Sequence, residues 1–262
     1  MIQILLIIIL LIIIYENREG FQNAFQDKVF QKTIYTYLDE DSLSYEILNV
    51  ENLKRNTEDS WEIIVLNKNN LDLYLGLNFS KKYEKLNRYE FVNLISLKII
   101  YEKGGIWVDS KINISDGSYF SKYQREMFYQ GYDLVVFELK EHKYKFYQKN
   151  YIFIAPSKSD FLKVVISKIE KYYKMDNEKF FKKYIPKKYL SNIKVMPTSK
   201  NLLAKLIFYL TLKIEKNNGL KYDVITRKQK SKIYYGIKLT KTNNRDILNM
   251  QILNYNLTNG LI

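Results

Sequence analysis

The sequence predicts an α/β sandwich with a mainly parallel central sheet, and three observations predict it. Short apolar, β-branched runs alternate with longer segments of helical periodicity from Thr33 to Ile214. A chain of 262 residues is long enough to bury one substantial core. Its 47% hydrophobic content, with only three prolines and nine glycines, excludes a disordered, collagen-like or linker-rich chain.

In chain order, Met1 to Tyr15 is almost wholly Ile and Leu. As a helix it would span roughly 22 Å, short of a hydrocarbon core of about 30 Å. A cleavable signal peptide, a buried core element and a short signal-anchor compete for this segment. Glu16-Asn17-Arg18-Glu19-Gly20 is a poor cleavage site. The expectation is therefore an N-terminal hydrophobic helix acting as a single-pass membrane anchor over 1–15, a polar stalk over 16–32, and one folded domain over 33–262. Ile34 to Leu38 reads as a first strand and Leu43 to Asn56 as a helix. Trp61 to Leu66 reads as a second strand closed by the turn formers Asn67-Lys68-Asn69-Asn70. A short helix starts at Leu71. Phe91, Leu94, Ile95, Leu97, Ile99 and Ile100 give the segment Tyr89 to Lys103 one broad apolar helical face. Ile106 to Val108, Leu134 to Leu139 and Tyr151 to Ala155 read as further strands. Helices follow over Ser159 to Met175, with Ser159 as N-cap, and over Leu202 to Ile214.

The segment Ile99 to Lys111, IIYEKGGIWVDSK, carries the most chemistry. Adjacent Gly104 and Gly105 permit a sharp reversal at positive φ and a close approach to the backbone. Asp109 then falls where a short buried strand runs out. In parallel sheets ligands bind beyond the carboxyl ends of strands. Thr36, Tyr37, Asn67 and Asp109 are thus expected to meet at one rim. A carboxylate there can hold a divalent cation against a diphosphate; a carboxylate that merely starts a turn is the other reading. Trp107 reads as a core residue, and Tyr35 and Tyr37 as strand packing or as a stacking surface for a base.

GGIWVDSKI resembles the signature of the capsular polysaccharide synthesis proteins and of the glycosyltransferases with a DXD sugar-binding region, whose element is GG-(I/V)-(W/Y)-x-D. Lys32 to Asp39 is similar to that family's opening strand, I-P-K-x-I-W-x-x-W, and Asp59 to Asn67 to its second strand. Asn93 to Tyr101 occupies the place of S-D-x-x-R-x-x-x-L-Y. Asn150 to Pro156 resembles a strand ending F-I-A-A, and Tyr235 to Thr240 is loosely similar to a late H-K-L-T. The resemblance is good from about Thr33 to Phe161 and thin beyond. Three positions depart from the pattern: Asn93 and Ser96 stand where the family offers Asp and Arg, and Lys111 stands at the second acid of a full D-x-D.

The resemblance implies a GT-A-like, Rossmann-type domain that transfers a sugar from a nucleotide-diphosphate donor to a glycan or other hydroxyl acceptor. It implies that Asp109 is catalytic and binds Mn²⁺ or Mg²⁺, and that Gly104 and Gly105 admit the donor. Asn93 and Ser96 would hydrogen-bond its sugar, and Lys98 or Lys111 would neutralise phosphate.

The bulk chemistry narrows the rest. No cysteine is present, which excludes disulfides, thiolate metal sites and cysteine nucleophiles. The single histidine, His142, lies in a lysine-rich stretch, which argues against a Ser-His-Asp hydrolase. The net charge is +14, and the basic surplus lies between Lys140 and Arg245. An anionic partner fits that half. No nucleic acid is expected, since no zinc spacing, RNA-binding aromatic motif or helix-turn-helix accompanies the charge. A catalytically inactive, membrane-anchored protein that holds acidic glycans or lipid head groups through its basic half is the alternative from another class.

Overall fold

The computed structural model describes residues 31–114, 116–138, 151–191, 193, 197, 199–226, 241–242 and 245–246. Eight strands and nine helices are seen among them. The strands are β1 (Thr33–Tyr37), β2 (Glu62–Leu66), β3 (Gly105–Val108), β4 (Leu134–Glu138), β5 (Ile152–Ala155), β6 (Tyr222–Thr226), β7 (Lys241–Thr242) and β8 (Arg245–Asp246). The helices are α1 (Ser44–Asn56), α2 (Leu71–Leu75), α3 (Phe79–Lys82), α4 (Arg88–Lys103), α5 (Tyr119–Gln130), α6 (Asp160–Tyr173), α7 (Asn177–Tyr184), α8 (Lys187–Leu190) and α9 (Lys200–Asn217).

Six strands form one sheet in the order β2-β1-β3-β5-β4-β6, and β7 pairs only with β8. β1 runs parallel to β2 and β3, and β4 parallel to β6; β5 alone is reversed, antiparallel to both of its neighbours. The fold is thus mixed α/β with a mostly parallel sheet, as the alternation of elements predicts.

Side chains alternate between two packed layers, as the period of a strand requires. On one face Tyr35, Tyr37, Trp107, Leu134, Val136 and Phe153 pack against α4, α6 and α9. On the other, Ile34, Ile106, Val108, Val135, Ile152 and Ile154 meet Leu53 of α1 and Phe120, Tyr123 and Met127 of α5. With both faces covered, the central strands read as continuous apolar runs.

Local chemistry fixes the element ends. Asn87 caps α4: its side chain accepts from the Glu90 amide at 3.0 Å, and Glu90 accepts from the Asn87 amide at 3.2 Å. This is a reciprocal capping box. Ser159 caps α6 as expected, accepting from the Leu162 amide. Gly104 closes α4 at φ 72°, its amide donating to the Ile100 carbonyl. Gly105 follows at φ 105°, and a Cβ there would lie 2.5 Å from the Thr33 carbonyl oxygen. The pair is obligatory for backbone reasons.

The membrane anchor is corrected. No helix among the described residues is long and apolar enough to cross a membrane. The segments read as anchor (1–15) and, up to residue 30, as stalk lie outside those residues, as do His142 and the stretch from Tyr235 to Thr240.

Candidate functional site

The carboxyl edge of β1 and β3 gathers the charged groups. Beyond β3 the chain turns tightly: the Asp109 carbonyl accepts from the Ile112 amide at 2.9 Å, and Asp109 Oδ1 accepts from the Lys111 amide at 3.0 Å. The Asp109 amide donates to the Tyr151 carbonyl at 2.8 Å, which ties the turn to the start of β5. Asp109 itself stays half-buried at the rim.

Helix α1 clamps the loop that follows. Asn49, Asn52 and Asn56 lie on one helical face, at intervals of three and four residues. Asn49 Nδ2 donates to the Ser110 carbonyl at 2.9 Å, Asn52 Nδ2 to Asn113 Oδ1 at 3.0 Å, and Asn56 Nδ2 to the Ile114 carbonyl at 2.8 Å. One turn earlier on α1, Glu46 is fully buried. Its Oε2 accepts from the Leu43 amide at 2.9 Å and from Arg88 Nη2 at 3.1 Å. Its Oε1 accepts from Ser110 Oγ at 3.2 Å and faces Lys111 Nζ at 3.3 Å. Arg88 also donates from Nε to both oxygens of Asp39, at 3.0 and 3.3 Å, and from Nη2 to Ser42 Oγ at 2.8 Å. A buried pair holds when further hydrogen bonds satisfy its remaining lone pairs. Glu46 meets that condition, with all four contacts made inside the protein.

From the opposite side α9 brings Lys205. It is 3% exposed, and its ammonium lies 3.6 Å from the ring centroid of Tyr151. Burial lowers its pKa to about 7; the Asp109 charge pulls it up, and Lys111 adds to the lowering. Asp109 also reaches Tyr45. Burial first, then the charges of Glu46 and Asp109, push that phenol well above its ordinary value. A cavity of about 480 Å³ opens at the same edge, lined by Asp39, Lys68, Lys81, Arg88 and Phe91 among others.

The other residues singled out in the sequence are placed as follows. Thr36 and Tyr37 are fully buried in the sheet; Tyr37 packs edge-on against Phe91, and burial first, then the nearby Asp39, pushes its phenol well above its ordinary value. Asn67 serves its own turn: Oδ1 accepts from the Asn69 and Asn70 amides at 2.9 and 3.1 Å. Ser96 is buried in α4 and its hydroxyl donates to the Asn93 carbonyl at 2.8 Å. Gly104 and Gly105 stand at the amino end of β3, roughly 13 Å along the strand from Asp109. Lys98 pairs with Glu170 at 2.8 Å in the helical layer. Trp107 is a core residue, as its strand position predicts.

The rim does not fit a protein-built cation site. Hard divalent cations take several oxygen ligands. Among the described residues no group of three or more His, Cys, Asp or Glu could hold a metal. Asp109 is a single carboxylate, Glu46 and Asp39 are engaged by Arg88 and Lys111, and two ammonium groups stand near. The named charges balance: Asp109, Glu46 and Asp39 stand against Lys111, Arg88 and Lys205.

Arg88, Glu46, the asparagine stripe and Lys205 were not evident from the motif. Their sequence signals are modest: a lone lysine inside Leu202-Leu203-Ala204-Lys205-Leu206-Ile207-Phe208, and Asn49, Asn52 and Asn56 at helical spacing.

Fold and rim together define a mixed α/β protein with a charged edge beyond its parallel strands. The chain belongs to the capsular polysaccharide synthesis protein family, whose model matches residues 47–217, well over half of its length. Among solved structures, a chain described as PaToxG glycosyltransferase aligns at 12% identity, covering 90% of this chain and 96% of that one, with a TM-score of 0.38. A likeness at that level carries no argument. No curated protein matches.

Proposed function

We propose that the protein is a glycosyltransferase that moves a sugar from a nucleotide-diphosphate donor to a hydroxyl of a glycan or other acceptor, in the synthesis of capsular or related polysaccharide. The observation that carries this reading is the family match over residues 47–217, a span that contains Asp109, Lys111, Arg88 and Lys205, with Asp39 and Glu46 just before it. Asp109 stands at the carboxyl end of a parallel strand, where ligands of such sheets bind. The neighbouring cavity is of a size that accommodates a nucleoside.

In the reaction the bond between the sugar's anomeric carbon and the diphosphate breaks. The nucleoside diphosphate departs with the electron pair. The acceptor oxygen bonds to the anomeric carbon and loses its proton. Asp109 is half-buried and accepts hydrogen bonds, so it suits a sugar or acceptor hydroxyl. Lys68, Lys81 and Arg88 line the cavity together with Asp39, Asp41 and Glu84, so its wall offers both donors and acceptors to a base and ribose.

The test is release of nucleoside diphosphate from a panel of sugar nucleotides, with wild type and Asp109→Asn. The variant is expected to lose at least about a hundredfold in rate, on the scale of removing one group that acts in the transition state, and to melt as wild type does. A variant with undiminished turnover removes Asp109 from the chemistry. The inactive glycan-binding alternative draws on the residues that replace the family's charged positions. Lys111 is engaged with Glu46, and the Ser96 hydroxyl is spent on the Asn93 carbonyl. Wild type that binds an acidic glycan but consumes no sugar nucleotide would select it.

A further inference from the structure

Glu46 does more than a helix cap requires. As the third residue of α1 it accepts from the Leu43 amide through Oε2, which a solvated carboxylate does equally well. Here the side chain is fully buried. Taking a carboxylate out of water is costly, and well-packed apolar side chains in place of a buried ion pair are often as stable. Capping and stability therefore leave the burial of Glu46 unaccounted for.

The contacts of its two oxygens account for it. Both residues that follow Asp109 are latched to Oε1: Ser110 Oγ donates at 3.2 Å and Lys111 Nζ lies at 3.3 Å. The Lys111 amide in turn holds Asp109 Oδ1 at 3.0 Å, while Asp109 Oδ2 has no hydrogen-bond partner among the described residues. One oxygen of Asp109 is thus fixed by the turn that Glu46 grips, and the other is open to a substrate hydroxyl. On the opposite side Glu46 Oε2 takes Arg88 Nη2 at 3.1 Å. Arg88 lines the cavity of about 480 Å³ together with Asp39, which its Nε holds at 3.0 Å. A string of charges from Asp39 through Arg88 and Glu46 to Lys111 therefore joins the cavity wall to the Asp109 turn. A displacement of about 1 Å between a bound substrate and the group that acts on it costs on the order of a hundredfold in rate, so a rigid cross-link of this kind bears directly on turnover.

On the glycosyltransferase reading, on which this rests, we infer that Glu46 is a positioning residue: bonded to Arg88 through one oxygen and to Ser110 and Lys111 through the other, it fixes Asp109 relative to the cavity that takes the nucleoside.

The test compares wild type, Glu46→Gln and Ser110→Ala. Gln keeps the shape of Glu46, but its amide N–H₂ must face either the Arg88 guanidinium or the Lys111 ammonium, neither of which accepts. Ser110→Ala removes one latch and changes no charge, and the Asn49 bond to the Ser110 carbonyl keeps the loop moored. Release of nucleoside diphosphate from the panel of sugar nucleotides is resolved into kcat and KM. Binding of uridine diphosphate and guanosine diphosphate is titrated calorimetrically. Glu46→Gln is expected to lose about tenfold or more in kcat and Ser110→Ala about threefold, with the donor KM within about twofold of wild type. Both variants are expected to bind the nucleoside diphosphate at full stoichiometry and within about twofold of the wild-type affinity. A merely structural role lowers kcat and binding stoichiometry by the same fraction, because misfolded chains do neither. That result overturns the inference, and so does a wild-type kcat in either variant. Should Glu46→Gln fail to fold, Ser110→Ala decides alone. With an active wild type, an overturning result leaves the glycosyltransferase reading standing. A wild type that consumes no sugar nucleotide defeats that reading and the inference with it.

Discussion

The two ends of β3 are built from different physics although one short motif spans both. At the amino end the constraints are backbone constraints. Gly104 and Gly105 take positive φ, and Gly105 passes so close to the Thr33 carbonyl that no side chain fits. At the carboxyl end the constraints are electrostatic: Asp109, Lys111, Glu46, Arg88, Asp39 and Lys205 are crowded into a half-dry rim. Residues of one motif therefore answer to different physical constraints. The glycines secure the strand, and the aspartate sits among the charges of the rim.

Breaking the carboxyl end at its hub has the largest expected effect. Glu46→Ala leaves Arg88 and Lys111 without their shared buried partner and should cost about 3–5 kcal/mol of unfolding free energy in urea titrations. A loss under about 1 kcal/mol would mean that the pairs contribute nothing net. Breaking the amino end comes next. Gly105→Ala meets both an unfavourable φ and the Thr33 carbonyl, and should cost on the order of 2–4 kcal/mol. Its residual activity should follow the folded fraction. An intact fold with lost turnover would instead bring the glycines into the site.

Lys205 sharpens the contrast through pH. Its folded pKa, near 7, lies below the unfolded value near 10.4. Between those values the unfolded chain holds the extra proton, so the lysine's cost to stability is complete below about pH 7 and fades as pH rises toward 10. Lys205→Met should therefore be more stable than wild type, by on the order of 2 kcal/mol at pH 6, with the advantage shrinking at pH 9. A gap that widens with pH would be the opposite of this expectation. The smallest effect is set by a single neutral bond: Asn52→Ala should cost about 1 kcal/mol and leave donor affinity within twofold.

Much of the frame was legible in the sequence. The strands around Ile34, Ile63, Ile106, Val135 and Phe153 and the long helices α4, α6 and α9 follow from apolar periodicity with shifts of a few residues at their ends. The reversed direction of β5 has no local signature, because a buried strand looks alike in either sense. Helix α5 escaped notice because its apolar face, Phe120, Tyr123 and Met127, is sparse within a polar, tyrosine-rich segment. Thr36 and Tyr37 are buried because a mostly parallel sheet covered on both sides encloses both alternating positions. At the site, Asp109 was legible from strand-end logic. Glu46, Arg88 and Lys205 were not, since they come from three other helices and the chain is rich in lysine and asparagine throughout.

The asparagine stripe of α1 has a consequence for how the site responds to its surroundings. Amide-to-carbonyl bonds carry no net charge, so neither ionic strength nor a change of pH across the neutral range alters them. The segment from Ser110 to Ile114 is thus moored by contacts blind to the solution, beside a cluster of charges that is not. Raising the salt should weaken the pull on an anionic ligand while its docking frame keeps its shape, so that a salt series reads attraction separately from architecture.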